Sequence, residues 1–566
     1  MSEQIISPGV FTSETDQSFL TAGPQIVGAA VIGPTAKGPA MIPTVVSSLS
    51  QYESVFGTTV VSGSQNYQYM TYFTARNYFN NGGRSLLVCR VLSGSFSPAS
   101  ASVATYQTGS VSALTLETLA VGNELNTFGY VSGALVSGSK YNFQYEITGT
   151  DTTTGTFNIL IRQGDDKNSN KNILEQWSQL SMDPNSTNYV SAIIGDTSYT
   201  YDGTNKYVKS SGNYLNKSQF IRIKSVNTPT PDYFDINGIA KAVFTGSLPA
   251  VSSGSFGGGS NGVTKSVINF YENISATNTQ GFDVTTDNYT NAIDLLSNKD
   301  EYRFNLLFLP GLYDKDYSAL TSKAITMAEG RGDCMVVVDP VAYSKNLAEV
   351  TAQSSNYDSS YAAMYWPWCQ TVDPKTGKTV WIPSSVAMAG VFAFNDSVAA
   401  PWYAPAGLNR GGITTVTQTE RKLSQAQRDT LYTNGVNPIA TFPGQGIVAY
   451  GQKTLQKRAS ALDRVNVRRL LIELKGYIGD IAKTLVFEQN TLATRGRFLS
   501  QVNPYLESVA SRQGLYAYKV VMDETNNTPD VIDRNQLVGK IFIQPAKAVE
   551  FVLLNFTVTP TGATFE

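Results

Sequence analysis

Apolar positions along the chain form two kinds of run. Short, mostly apolar stretches lie at 26–32, 86–91, 304–309 and 335–339, each holding at most one polar or charged residue. Runs of that length without alternation predict strands buried on both faces. Between them, helical spacing predicts helices over 67–79 and 318–328. The first is closed by Asn80-Asn81-Gly82-Gly83, because Gly and Asn take the left-handed cap most easily. Strand 304–309, a turn at Pro310-Gly311, the helix and strand 335–339 make a βαβ unit, whose parallel strands need a right-handed crossover.

From 96 to 264 the pattern changes to alternation, as in 141–147 and 220–224, broken by frequent Ser, Thr, Gly and Asn. This predicts an all-β insertion, with 252–260 as its exit linker. The α/β core is then discontinuous, made of 23–95 and 265–415.

The last third opens with a capping box at Ser424-Gln425-Ala426-Gln427, on a helix that Asn434-Gly435 closes. A longer helix opens at Asp463 and carries Val467, Leu470, Leu471, Leu474, Ile478, Ile481 and Leu485 on one face. A third helix over 492–512, capped by Gly514, and strands at 515–522 and 540–543 complete an α+β C-terminal domain, 416–546. The two ends, 1–22 and 547–566, hold extended segments: Val10, Phe11 and Thr12 in one, and Val552, Leu554, Phe556 and Val558 alternating in the other. Neither has a neighbour in sequence to pair with, and an isolated strand is not stable alone.

At 566 residues the chain exceeds the roughly 250–300 residues at which single cores stop growing. It contains no histidine, which excludes a Ser-His-Asp triad, a Cys-His pair and histidine metal ligands. Cys89, Cys334 and Cys369 are too scattered for a disulfide framework or zinc site, and Cys89 and Cys334 are expected as buried thiols. No apolar run reaches the roughly 20 residues that cross a bilayer, and MSEQIISPGVF lacks a basic-then-apolar leader. Neither a membrane span nor conventional secretion is expected.

Against a net charge of −2, Lys453–Lys475 gathers Lys453, Lys457, Arg458, Arg464, Arg468, Arg469 and Lys475 against only Asp463 and Glu473. On a helical projection Arg468 and Lys475 share one flank, and Glu473 and Asp480 the opposite one. An ordinary solvated face, a nucleic-acid site and a dock for an acidic protein surface are all readings of this patch. A pI near 5.6 and few interleaved aromatics weigh against nucleic acid. Gly446–Thr454 is a near miss to a phosphate-binding loop, because Gln452 separates Gly451 from Lys453. Arg331-Gly332-Asp333 precedes a buried strand and is read as structural, and Asp165-Asp166 as solvated loop charges. No cofactor or metal site emerges.

Several motifs together resemble the tail sheath protein of contractile-tailed phages. They are Ser7-Pro8-Gly9-Val10-Phe11, Asn81-Gly82-Gly83-Arg84, Leu309-Pro310-Gly311-Leu312, Ser360–Trp368 and Ala404-Pro405-Ala406-Gly407. The most specific run joins Gly435–Ile439, Phe442–Gly446 and Val465–Leu470, and Pro545–Phe556 resembles the family's closing segment. Residues 96–264 lie outside the resemblance. It implies a non-enzymatic helical polymer of hexameric rings around an inner tail tube, assembled in the host cytoplasm and carried in the virion. Its contraction would drive the tube through the host envelope, with tube, baseplate and tail terminator proteins as partners and neither nucleic acid nor membrane. It also implies a subtilisin-like but non-catalytic core, and a C-terminal domain facing the tube. Arms carrying Val10, Phe11, Thr12, Val552, Leu554, Phe556 and Val558 would add strands to neighbouring subunits. Lys457, Arg458, Arg464, Arg468 and Lys475 are then the candidate tube contacts. Another virion component such as a surface fibre is the alternative, and a hydrolase a remoter one.

Overall fold

The computed structural model describes residues 26–553 apart from 63–64, 108, 110, 128, 132–133, 263–274, 276–277 and 284–287. Val10, Phe11, Thr12, Leu554, Phe556 and Val558 lie outside the described residues.

An eight-stranded sheet organises the fold, in the order Thr44–Val46, Leu86–Arg90, Ile26–Gly33, Arg303–Tyr313, Met335–Asp339, Ala362–Trp366, Val436–Phe442, Gly446–Ala449. The six inner strands are parallel, and an antiparallel strand closes each edge. Alternate residues of an inner strand enter opposite layers. Leu86, Val88, Met335 and Val337 join residues of helices Met70–Asn80 and Ser384–Val398 on one face. Leu87, Cys89, Val336 and Val338 join those of helices Asn288–Leu295 and Asp314–Arg331 on the other. Helices on both faces explain the mostly apolar runs. All three cysteines are buried free thiols.

Several sequence expectations are corrected. The strand from Arg303 does not turn at Pro310-Gly311 but continues to Tyr313. Its register against Met335–Asp339 shifts between Phe308 and Tyr313, with Gly311 at φ 92°, so the signal for a turn marks a bulge. A Cβ on Gly311 would lie 2.2 Å from the Gln280 amide nitrogen. The helix that follows starts at once, at Asp314, and bends at Tyr317. The boundary expected at 415–416 also fails, because Val436–Phe442 and Gly446–Ala449 belong to the core sheet. The capping-box helix before them, Gln425–Thr433, belongs to this sheet's crossover connection and does not open a separate unit.

The insertion has its own core. A three-stranded sheet (Pro98–Ala104, Ser112–Val121, Ile221–Val226) and a four-stranded one enclose Leu114, Leu116, Phe143, Ile147, Ile159 and Phe256. Ser252–Ser255 pairs with Gln144–Ile147 as an edge strand, so the expected linker is part of a sheet. Asp166 is buried rather than solvated, held by Arg162 through Nε and Nη2 at 3.0 and 2.8 Å. At the root of the insertion the buried Arg90 guanidinium donates to the carbonyls of Gly38 and Val121, both at 2.6 Å. One side chain on the core sheet thus fixes the end of an insertion strand.

Asp339, at the end of its strand, accepts from the backbone N–H of Ser385 at 2.9 Å and from its hydroxyl, in the first turn of Ser384–Val398. Burial without a cation raises its pKa from 3.8 to about 7, despite the two Ser385 hydrogen bonds, which lower it. The folded state therefore holds this proton more tightly than the unfolded chain. Its contribution is present in full below about pH 4 and is withdrawn as pH rises through about 7. Asp339→Asn keeps an acceptor for the Ser385 N–H and removes the titration. Its melting temperature should fall less than the parent's between about pH 4 and 8; parallel curves in thermal melts would exclude Asp339 as the group responsible.

Candidate functional site

The long helix of the C-terminal third, Val465–Lys483, is a wall between two cores. Val465 and Ile472 pack into the core under the large sheet, whereas Leu470 and Leu474 pack against Phe498, Val502, Leu506 and Leu515. The helix begins after Asp463, which sits instead in a 3-10 turn capped by the Ser460 hydroxyl, and it ends before Leu485. Ion pairs fasten it to the core at two levels. Arg469 reaches Asp396 with Nη1–Oδ1 2.7 Å, and Arg303, which begins a central strand, grips Asp480 at 2.7 and 2.6 Å.

The basic stretch is largely consumed inside the subunit. Arg468 is 4% exposed, lies 4.0 Å from the Tyr361 ring centroid and donates to the Ser360 hydroxyl. It is not a surface cation, which corrects its place among the candidate tube contacts. Arg468 and Lys475 do share an azimuth, but about 10 Å of helix separates them. The 359–361 segment covers the first, and Lys475 is exposed. Lys457 donates to the Ser355 carbonyl at 2.6 Å. Lys453 donates to the Tyr432 carbonyl at 2.8 Å and stands 4.4 Å from that ring, a structural cation and not a phosphate ligand. Arg331 pairs with Asp333 and donates to the carbonyls of Leu296 and Tyr302, so that tripeptide is structural. Of the candidate tube contacts, Lys457, Arg458 and Lys475 are exposed cations without an ion pair among the described residues, and Lys457 is tied to the Ser355 carbonyl.

Arg464 has a partner that sequence inspection missed. Its Nε and Nη2 donate to Glu550 Oε1 and Oε2 at 2.6 and 2.9 Å. The Tyr432 hydroxyl and Gln452 Nε2 add bonds of 2.8 and 3.2 Å to the same carboxylate. Burial by itself would raise the Glu550 pKa; the hydrogen bonds from Arg464 and Tyr432, with the Arg464 charge and the Gln452 amide, hold it below the usual range. The contact spans 86 residues, and a lone Glu in an apolar terminal run gives no local signal of its partner. Residues 546–552 cross an open cleft of about 1300 Å³ whose other walls include Trp402, Tyr403, Arg428, Tyr450 and Tyr516. The expected strand at the C-terminal end is not formed over 549–553, where Val552 is exposed.

Next to this cleft, Leu515–Val521 and Lys540–Pro545 form a two-stranded antiparallel sheet. Tyr518, Val520, Ile541 and Ile543 pack it on the helix pair. Among the described residues neither strand has a second partner, and Tyr516 and Phe542 are exposed. Two strands alone are marginal in water. Open edges of this kind are templates for a further strand.

Comparison with known proteins bears on this half of the chain. Residues 283–455 match the family described as the phage tail sheath protein central domain, and residues 458–559 the phage tail sheath C-terminal domain. The tail sheath protein of Vibrio phage KVP40 is 42% identical over 217 residues, 38% of this chain and 32% of that protein. That of Enterobacteria phage T4 is 36% identical over 266 residues, 44% of this chain and 40% of that protein. The chain therefore spans between about a third and two fifths of the length of these relatives. A sheath tail protein from Listeria innocua is similar in fold, with a TM-score of 0.53 at 10% identity over 92% of this chain and 96% of that one.

Truncating the two cations that share a helix flank separates their roles. Arg468→Ala, which strips the packing from Tyr361 and leaves Ser360 without its donor, should cost about 1–3 kcal/mol of stability. Lys475→Ala should leave stability within about 0.5 kcal/mol of the parent. Denaturant melts of the two variants compare them directly, and equal effects would refute the assignment.

Proposed function

We propose that this chain, whose residues 283–455 and 458–559 match the central and C-terminal domains of the phage tail sheath family, is the structural subunit of a contractile tail sheath. The observation that carries this proposal is the match of 283–455 and 458–559 to those two domains. The open two-stranded sheet supports it from the side of the structure. In this proposal subunits polymerise helically, in hexameric rings, around an inner tube, and the cylinder shortens to drive the tube through the host envelope. Tube, baseplate and tail terminator proteins are its partners, and it is assembled in the host cytoplasm and carried in the virion. No catalysis is assigned to it.

The terminal segments act as connectors. Val10, Phe11 and Thr12 at one end, and Val552, Leu554, Phe556 and Val558 at the other, add strands to the open edges of 515–521 and 540–545 on neighbouring copies. About five main-chain bonds at roughly 0.5–1.5 kcal/mol net each give several kcal/mol per junction. Such connectors hold the lattice while the bodies slide, and the work of contraction comes from a metastable extended packing. The paired Arg469–Asp396 and Arg303–Asp480 contacts favour movement of core and C-terminal helices as one body. We carry the subtilisin-like description of the core, and the discontinuous layout around the 96–264 insertion, as part of the same proposal. Arg458 and Lys475 are the cations assigned to the tube.

Electron microscopy of the purified protein, alone and with tube, should show hollow striated cylinders; fibres decorating a particle would overturn the proposal. Deletion of 1–20 should abolish long cylinders and leave a folded subunit, and normal cylinders would remove the connector role. Arg458→Glu with Lys475→Glu should weaken co-assembly with tube at low salt, and the difference from the parent should shrink as added salt shortens the Debye length below about 10 Å. Unchanged co-assembly at low salt would exclude this surface.

A further inference from the structure

We infer that Arg464, Tyr432 and Gln452 form a carboxylate lock that, through Glu550, fixes the root of the C-terminal segment to its own subunit. Three elements converge on one side chain. Tyr432 lies in helix Gln425–Thr433, Gln452 follows strand Gly446–Ala449, and Arg464 precedes helix Val465–Lys483. Two of the three donors therefore belong to the connections of the large sheet, not to the two-stranded sheet from which the segment emerges. The segment is tied across the cleft to the core.

Little else holds it. Ala546 donates to the Gly514 carbonyl at 3.1 Å, and beyond it the Glu550 contacts are the only hydrogen bonds of 547–553 among the described residues. Val549, Phe551, Val552 and Leu553 are 73–94% exposed. A terminal segment docked by the hydrophobic effect would show the reverse, apolar side chains inward and the carboxylate in water. The socket is also braced without Glu550. Asp463 pairs with Arg464 at 3.0 Å, and Lys453 holds Tyr432 by its carbonyl and its ring face. A bidentate Arg–carboxylate pair sets direction as well as position. The lock thus orients residues 551–553 away from the body and leaves the socket standing if they are released.

The lock is a property of the single subunit; only its consequence for assembly rests on the sheath proposal. The 566-residue chain is tested by the rate of tryptic cleavage after Lys547 and by a spin label on Leu553→Cys, which reacts selectively because the native cysteines are buried. Glu550→Gln should speed cleavage roughly 10- to 100-fold, the range of a lost charged hydrogen bond, and should sharpen the spectrum of the label. The melting temperature of the body should not change. Tyr432→Phe, which deletes one bond, should give a smaller effect in the same direction. Cleavage and label mobility unchanged in Glu550→Gln would overturn the lock, as would loss of protection only in step with a lower melting temperature. Cylinders formed normally by a chain lacking 554–566 would remove the C-terminal connector role and leave the lock intact.

Discussion

The structure depends on one helix serving two cores while carrying buried cations near its N-terminal end. Val465–Lys483 presents Val465 and Ile472 to the large sheet and Leu470 and Leu474 to the C-terminal helix pair. A helix flanked on two sides has no solvent for the side chains between its apolar stripes. Arg468 and Arg469 occupy that position, and a buried guanidinium is tolerated only with a partner. Tyr361 supplies a ring face to the first and Asp396 a carboxylate to the second. The helix macrodipole works against cations near this end, so these partners offset two costs. The result is a firm joint between the α/β core and the C-terminal helices.

The same logic extends outward. Arg90 pins the insertion with two carbonyl contacts, Arg162 organises its interior acids, and Arg464 secures the terminal segment. Arginine recurs because a planar fork satisfies two or three acceptors from different elements at once. A protein with many connections between its parts gains rigid joints from few residues. The periphery is built differently: among the described residues the two-stranded sheet keeps open edges and apolar residues face water. In the sheath role proposed above, a body with open strand edges suits a subunit that keeps its neighbours through a change of lattice.

Much of the core was legible because its signals are local. Mostly apolar runs located four of the six inner strands, those at 26–33, 86–90, 303–313 and 335–339, and the Ser424 capping box fixed the start of its helix as read. Local signals also misled where one residue type serves two geometries. Pro310-Gly311 reads as a turn yet forms a bulge, since a positive φ suits either. The Ser/Gly-rich 252–255 reads as a linker yet pairs as an edge strand, because main-chain bonds there need little side-chain packing.

The chain by itself determined its periodicities, the absence of histidine chemistry and the motifs that point to a sheath. It also set the azimuth of every residue on the long helix. Only tertiary structure decided which residues at one azimuth are covered, because coverage depends on how far a neighbouring element extends along the axis. Arg468 and Lys475 differ for that reason alone. Tertiary structure likewise decided the basic stretch's role and the partner of Glu550. Long-range electrostatic pairs are set by which elements the packed core brings together, and spacing along the chain carries no record of that.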